Sequence, residues 1–165
     1  MRAARLRLAA IGIGVGAAVW SALSHADPLG QSRLAPSDIA ALAQASAGPG
    51  ASGIGAIRST VLSGKPGEAG PYTIALQVPA HTTIAAHTHR DDRTAVVVSG
   101  TWWFGYGPAN ERARLKRLPA GSFYTEPAGA PHFARTGRDP VVVFITGNGP
   151  SDTAYVDDAA DPARR

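Results

Sequence analysis

The sequence contains no cysteine, so the protein can form neither disulfide bonds nor thiolate metal sites. Histidine, aspartate and glutamate are the side chains left to hold any metal. The sequence also has no long helical period and no internal repeat, which together favour one all-β domain. It has no helix-turn-helix and no basic reading arm, so we expect no nucleic-acid partner. Without disulfides, the fold must be stabilised by its core and by any metal that it binds.

The first 26 residues have the anatomy of a secretory signal peptide, with three early arginines, an apolar run over residues 8–20, and small residues before Ala26. The apolar run has 13 residues, whereas a spanning helix needs roughly 20. We therefore predict cleavage after Ala26, a periplasmic or secreted protein, and no stable membrane span after cleavage. An uncleaved membrane anchor is the alternative.

The positive charge of the chain belongs largely to this leader. Residues 1–26 hold three of the 16 basic residues and none of the 12 acidic ones, which leaves 13 against 12, a net charge of +1. The basic isoelectric point therefore does not indicate binding to nucleic acid or to a membrane surface.

Residues 27–55 are predicted to form an N-terminal arm, a short helix and a linker. The helix is expected over residues 39–47, with Ser37 as N-cap and Gly48 as stop. Residues 48–53 form a GxGxxG string, but the dinucleotide-binding motif needs a strand before it and a helix after it, and neither is predicted. A flexible linker is therefore expected at residues 48–55.

Short segments rich in β-branched and aromatic residues follow, separated by turns that contain Gly and Pro. This pattern predicts a β-sandwich or barrel over residues 56–147, followed by a polar C-terminal tail over residues 148–165. The predicted strands are residues 57–62, 72–78, 84–89, 94–99, 101–106, 114–118, 122–126, 132–135, 141–146 and 154–156.

Histidines provide the strongest functional signal. His87 and His89 are two residues apart, so a β-strand directs both side chains to the same face. His132 follows a Pro- and Gly-rich turn later in the chain. Three neutral imidazoles that converge inside a β structure suit Fe, Zn, Mn, Ni or Cu, so we predict a divalent transition-metal site. His81 lies in a turn and is expected to be exposed.

These residues resemble the two sequence motifs of the cupin superfamily, which consists of small jelly-roll barrels that often hold a metal. The resemblance covers about residues 56–147 and implies a single cupin barrel. The run from His87 to Arg93, followed by Val-Val-Ser-Gly-Thr-Trp-Trp, is similar to a group of exported bacterial single-domain cupins. The positions that match are His87, His89 and Gly100 in the first motif, and Gly121, Pro127, Gly129 and His132 in the second.

Three positions differ from the motifs: His81 replaces a Gly, Thr136 replaces an Asn, and Arg93 stands where the acidic ligand is usual. A guanidinium does not ligate metals. We therefore favour a site with three histidines and water, with Asp91 or Asp92 as a fourth ligand being the alternative.

Arg93, Glu126 and Tyr124 are the candidate catalytic residues. Arg93 is in phase with His89 and is predicted to hold a substrate carboxylate, or alternatively to pair with Asp91, Asp92 or Glu126. Glu126, with Tyr124 on the same strand face, is the candidate for proton transfer. The alternative, which we favour, is that Glu126 caps the Ala128–Pro131 turn or lies on the rim of the pocket.

The aromatic strand also bears on the pocket and on assembly. Trp102, Phe104 and Tyr106 share one face, while Trp103 faces the other way. One set is expected to fill the barrel, and the other to meet a second sheet or a partner chain, which allows a homodimer.

We therefore predict a periplasmic metal-binding cupin, a metalloenzyme that acts on a small organic molecule as a dioxygenase, isomerase or lyase. The resemblance alone does not select a reaction, because cupins include many activities. The alternative is a non-catalytic cupin that binds a small molecule, with a structural metal or none.

Overall fold

The computed structural model describes residues 30–164 of the chain. The predicted signal peptide and its cleavage site lie outside the described residues. Within residues 30–164, no helix is both long and apolar enough to cross a membrane.

Ten β-strands form two five-stranded antiparallel sheets in this part of the chain, and the predicted all-β jelly-roll fold is confirmed. One sheet has the order β1-β2-β9-β4-β7, and the other has the order β10-β3-β8-β5-β6. The strands are β1 (Arg58–Ser63), β2 (Gly70–Val78), β3 (Thr83–Thr88), β4 (Arg93–Ser99), β5 (Thr101–Tyr106), β6 (Lys116–Pro119), β7 (Phe123–Glu126), β8 (His132–Thr136), β9 (Val141–Gly149) and β10 (Ala154–Tyr155).

Alternation along the strands places one face of each sheet in the core between them. In β4, burial alternates residue by residue, with Arg93, Ala95 and Val97 buried and their neighbours exposed. Ile74 and Val143 have no exposed surface, and burying each such side chain contributes roughly 1.5–3 kcal/mol. All ten predicted strands are present. Arg114, however, lies in a 3₁₀ turn before β6 rather than in a strand.

The helix differs from its prediction, because α1 spans Pro36–Ala41 rather than residues 39–47. Pro36 occupies the first turn, where its fixed φ suits a helix and its missing N–H costs nothing. The Asp38 carboxylate accepts a hydrogen bond of 2.7 Å from the backbone N–H of Ala35. Leu42 is already extended, so the alanine-rich segment after it is not helical.

Residues 48–53 are not a flexible linker, because they pack across one end of the barrel. Gly50, Ala51 and Ser52 are all buried. The Tyr155 hydroxyl donates to the carbonyl of Ser52 at 2.7 Å, and the Thr153 hydroxyl donates to the carbonyl of Ala51 at 3.1 Å. We call residues 48–53 the covering segment. Part of the predicted tail is ordered as well, because β10 pairs with β3.

Candidate metal centre

Three histidines meet at one end of the barrel, as the sequence predicts. His87 lies on β3 opposite His132 on β8, and His89 is the first residue after β3. Their rings are close, with centroid separations of 4.9 Å for His87 and His89, 4.4 Å for His87 and His132, and 5.1 Å for His89 and His132. All three are buried, and their ligand atoms all lie within 4.8 Å of one another.

The Nδ1 atom of each histidine is hydrogen-bonded to a backbone carbonyl oxygen. His87 Nδ1 is 2.7 Å from the carbonyl oxygen of Ala85, and His132 Nδ1 is 3.0 Å from that of Ala130. His89 Nδ1 contacts the carbonyl oxygen of Asp152. Because a carbonyl only accepts, each Nδ1 carries the proton, and each Nε2 keeps a lone pair for a ligand.

Burial keeps these imidazoles neutral. Burial and the neighbouring His132 lower the pKa of His87 to about 3. Burial and the Arg93 guanidinium lower the pKa of His89 to about 2. The pKa of His132 is lowered chiefly by burial. A neutral imidazole is the form that binds a metal, so the three histidines have the protonation state that ligation requires at neutral pH.

The donor set fits a divalent transition metal. His132 Nε2 is fully buried and has no hydrogen-bond partner, and a buried polar atom without a partner is uncommon in native proteins. A metal ion bound by the three Nε2 atoms would satisfy it. Within the described residues, His87, His89 and His132 form the group whose geometry suits a shared ion.

Arg93 and Glu126 form a buried ion pair beside the histidines. They face each other across β4 and β7. Arg93 Nε donates to Glu126 Oε2 at 2.6 Å, and Arg93 Nη2 contacts both that oxygen and His89 Nε2. Their side chains are each 4% exposed, so Glu126 is not on the rim. Of the partners considered for Arg93, the structure selects Glu126.

Both members of this pair carry their charge. Burial would raise the pKa of Glu126, but the charge of the Arg93 guanidinium outweighs it and the pKa is lowered to about 2. Burial would lower the pKa of Arg93, but the Glu126 carboxylate raises it above its usual value. Tyr124 is neutral, because burial raises the pKa of its phenol well above the usual range.

Both aspartates of the β3–β4 loop are hydrogen-bonded to groups other than the histidines. Asp91 Oδ2 accepts a hydrogen bond of 2.7 Å from the Tyr72 hydroxyl, and Asp92 Oδ1 accepts one of 2.8 Å from the N–H of Ala128. The alternative with Asp91 or Asp92 as fourth ligand is therefore not the arrangement observed. His81 is exposed, as predicted.

A small cavity of about 30 Å³ lies over the histidines. This is space for about one or two water molecules. Its polar wall contains the histidines and the predicted catalytic residues, and its apolar wall comes from both sheets. The covering segment closes one side through Gly50 and Ser52. The remaining lining residues are Leu76, Ile84, Trp102, Phe104, Ala134, Ile145 and Thr153.

Gly147 is a site residue that the sequence did not reveal. It lies on β9 between Tyr72 on β2 and Arg93 on β4. A Cβ on Gly147 would overlap Asp91 Oδ2 and lie 2.6 Å from the Tyr72 hydroxyl oxygen. The missing side chain therefore leaves room for the hydrogen bond between Tyr72 and Asp91, which anchors the loop before Arg93.

Asp152 is a second residue that the sequence did not reveal. Besides its carbonyl contact with His89, its carboxylate accepts hydrogen bonds from the backbone N–H of Arg90 at 2.9 Å and from Arg90 Nε at 3.0 Å. This clamp ties the C-terminal segment to the loop after β3. No local sequence pattern predicts these contacts, because Asp152 lies far along the chain from His89 and Arg90.

Comparison with known proteins supports the fold. No protein-family model and no curated protein matches the sequence. The polyketide cyclase RemF from Streptomyces resistomycificus is 16% identical, with a TM-score of 0.63 over 80% of this chain and 89% of that chain. A cupin 2 conserved barrel domain protein from Rhodopseudomonas palustris is also 16% identical, with a TM-score of 0.51 over 64% of this chain and 69% of that chain.

Two facing antiparallel sheets with three buried histidines at one end define a jelly-roll barrel with a candidate metal centre. The match to the cupin 2 conserved barrel domain protein identifies this barrel as the cupin fold, which confirms the fold that the sequence resemblance implied.

Proposed function

We propose that this protein is an exported metal-binding cupin, and that it is a metalloenzyme acting on a small organic molecule that carries a carboxylate. The observation that supports metal binding is the geometry of His87, His89 and His132. Each Nδ1 is held by a backbone carbonyl, so Nε2 is the ligating nitrogen of each histidine, and that of His89 contacts Arg93. Imidazole suits Fe, Zn, Mn, Ni and Cu, so the proposed cofactor is a divalent transition metal of this group.

A metal in this site would supply a Lewis acid for isomerase or lyase chemistry, or a centre for oxygen chemistry in a dioxygenase. The residues around it suit an anionic substrate. Arg93 lines the cavity, and the guanidinium donors that Glu126 does not occupy are able to bind a substrate carboxylate. Tyr124 and Glu126 are the groups in the cavity that are able to exchange a proton with a bound molecule.

The second candidate function is a non-catalytic cupin with a structural metal. The observation that favours it is the cavity volume of about 30 Å³. Ligand pockets for small organic molecules usually measure roughly 300–1,000 Å³. An enzyme with this fold therefore has to open before it binds a substrate, whereas a structural metal site needs no opening.

Export is the part of the proposal that rests on sequence alone. The basic start, the apolar run and the small residues before Ala26 support a periplasmic or secreted protein. Sequencing the N-terminus of the protein after expression in a bacterial host tests this, and a mature chain that begins at Asp27 is the expected result.

Metal content tests the proposed centre. Elemental analysis of the purified protein should find about one transition-metal ion per chain, and the His132→Ala variant should have lost it. His81→Ala is the matched control, because His81 is exposed. Full occupancy in His132→Ala would contradict the assignment.

A comparison of turnover with binding separates the two candidate functions. The metal-loaded protein is incubated with a panel of small carboxylates in air and followed by proton NMR. An enzyme consumes one of them at a rate that His132→Ala abolishes. A non-catalytic cupin raises its melting temperature with a ligand but leaves that ligand unchanged.

A further inference from the structure

The carboxylate of Glu126 lies close to two of the three histidines. Glu126 Oε2 is 3.8 Å from His89 Nε2 and 3.8 Å from His132 Nε2. Two atoms that share an ion at about 2.1 Å are at most about 4.2 Å apart. Glu126 is therefore placed to ligate together with these two histidines.

Strand pairing explains how a carboxylate reaches this place when the expected position holds an arginine. Arg93 on β4 and Glu126 on β7 are direct partners in the antiparallel ladder, so their side chains share one face of the sheet. Position 93, where cupins usually have the acidic ligand, and position 126 therefore lie side by side on adjacent strands and face the same space. In this chain position 93 is an arginine, and the carboxylate near the histidines belongs to Glu126 instead.

The guanidinium of Arg93 stands where an ion would approach His89. Arg93 Nη2 contacts His89 Nε2, whose lone pair serves either this donor or a metal, but not both. Arg93 also contacts Glu126 Oε2 through Nε and Nη2. Movement of Nη2 away from His89 frees the ligand atom, while Nε continues to orient the carboxylate.

Charge favours the same arrangement. Three neutral imidazoles do not offset the charge of a divalent ion, and the nearby guanidinium opposes it. The Glu126 carboxylate is buried and ionised, and its Oε2 atom is 3.8 Å from the Nε2 atoms of His89 and His132. A carboxylate in the coordination shell offsets the ion, and a donor from Arg93 to that carboxylate fixes its orientation.

We propose that Glu126 is the fourth protein ligand of the metal, and that Arg93 gives up its contact with His89 when the ion enters while it keeps its hydrogen bond to Glu126. This inference rests on the proposed metal centre. It replaces the expected site of three histidines and water with one of three histidines and a carboxylate from β7. Proton transfer to a bound molecule then falls to Tyr124.

A double-mutant comparison distinguishes a ligand from a mere counter-ion of Arg93. The affinities for Zn²⁺ and Co²⁺ are measured by competition with a chromophoric chelator in the wild type, Arg93→Met and the double variant Arg93→Met/Glu126→Gln. Arg93→Met should bind at least about tenfold more tightly, because a competing cation is gone. Adding Glu126→Gln should then weaken binding by well over about a hundredfold, beyond the roughly 10–100-fold effect of losing a residue outside the coordination shell.

The exposed pair of Arg114 and Glu111, whose Nε and Oε2 atoms are 2.8 Å apart, provides the matched control. Arg114→Met/Glu111→Gln should bind metal like the wild type. Equal affinities in Arg93→Met and Arg93→Met/Glu126→Gln would overturn the role of Glu126 and leave the three-histidine centre standing. Absence of binding in both the wild type and Arg93→Met would overturn the metal centre itself.

A measurement on the wild type avoids any folding defect of the variants. The chain has three glutamates, Glu68, Glu111 and Glu126. Labelling the glutamate carboxyl carbons with ¹³C therefore gives three signals, two of which are internal controls. On titration with Zn²⁺, the Glu126 signal should shift in step with metal binding, while the other two stay in place. A Glu126 signal that stays with them while one equivalent of zinc binds would overturn the inference.

Discussion

Removing the Glu126 carboxylate while Arg93 remains should destabilise the metal-free protein severely. The side chains of Arg93 and Glu126 are each 4% exposed, so Glu126→Gln leaves a buried guanidinium without its counter-ion. Breaking such a pair from one side costs about 3–5 kcal/mol, because the remaining charge is uncompensated. Replacing both partners by neutral side chains of similar size is expected to be far less costly, because no charge is then left behind.

Urea unfolding in the presence of a chelator measures this difference. For a domain of this size the free energy of unfolding falls by about 1–3 kcal/mol for each molar of urea. Glu126→Gln should therefore lower the unfolding midpoint by about 2 M, with an unchanged slope. Arg93→Met/Glu126→Gln should recover most of that loss.

Glu111→Gln is the control for the loss of a carboxylate alone, because Arg114 and Glu111 are about half exposed at 53% and 49%. An exposed pair is worth at most about 1 kcal/mol. If Glu126→Gln is no more harmful than Glu111→Gln, the buried pair does not hold the charges that we assign to it, and the reasoning fails.

Two further predictions concern pH and packing. The pKa values of His87 and His89 fall from about 6.5 in the unfolded chain to about 3 and about 2 in the fold. Their neutral forms therefore contribute stability that is fully present above about pH 6.5 and is lost as the pH falls toward 3, by roughly 1 kcal/mol per pH unit for each histidine. Urea unfolding midpoints measured with a chelator present, between pH 7 and pH 5, report this loss. An unfolding midpoint that does not change over this pH range would contradict the prediction. Gly147→Ala should cost about 1–3 kcal/mol, because the new methyl group overlaps the Tyr72–Asp91 hydrogen bond; Gly137→Ala, where no heavy atom lies within 4 Å of the added Cβ, is the control in thermal unfolding, and equal melting temperatures for the two variants would refute this prediction.

The strands and the histidines were accessible from the sequence because both depend on local spacing. Alternation in β4 and the two-residue spacing of His87 and His89 follow directly from the geometry of an extended chain. The helix was predicted less well. Ser37 is a good N-cap in isolation, but Pro36 and the Asp38 hydrogen bond start the helix earlier, and its end falls at Ala41.

The environment of Glu126 was not accessible in the same way. Its burial depends on Arg93, which is 33 residues away in sequence and becomes a neighbour through the pairing of β4 with β7. A lone glutamate on a short strand is usually exposed, so the rim was the reasonable expectation. The contacts of Asp152 with His89 and Arg90 depend in the same way on how distant segments meet.

The cavity beside the histidines is lined in part by residues that lie outside the ten strands, including two from the covering segment. Gly50 and Ser52 form part of the wall upstream of β1, and Thr153 forms part of it just before β10. A protein made of residues 56–147 alone would contain the three histidines but would lack these parts of the cavity wall. Chain deletions or fusions that spare every strand are therefore expected to change what enters the site and how fast it leaves, and a designer who wants a more permissive pocket should begin by altering residues 48–53.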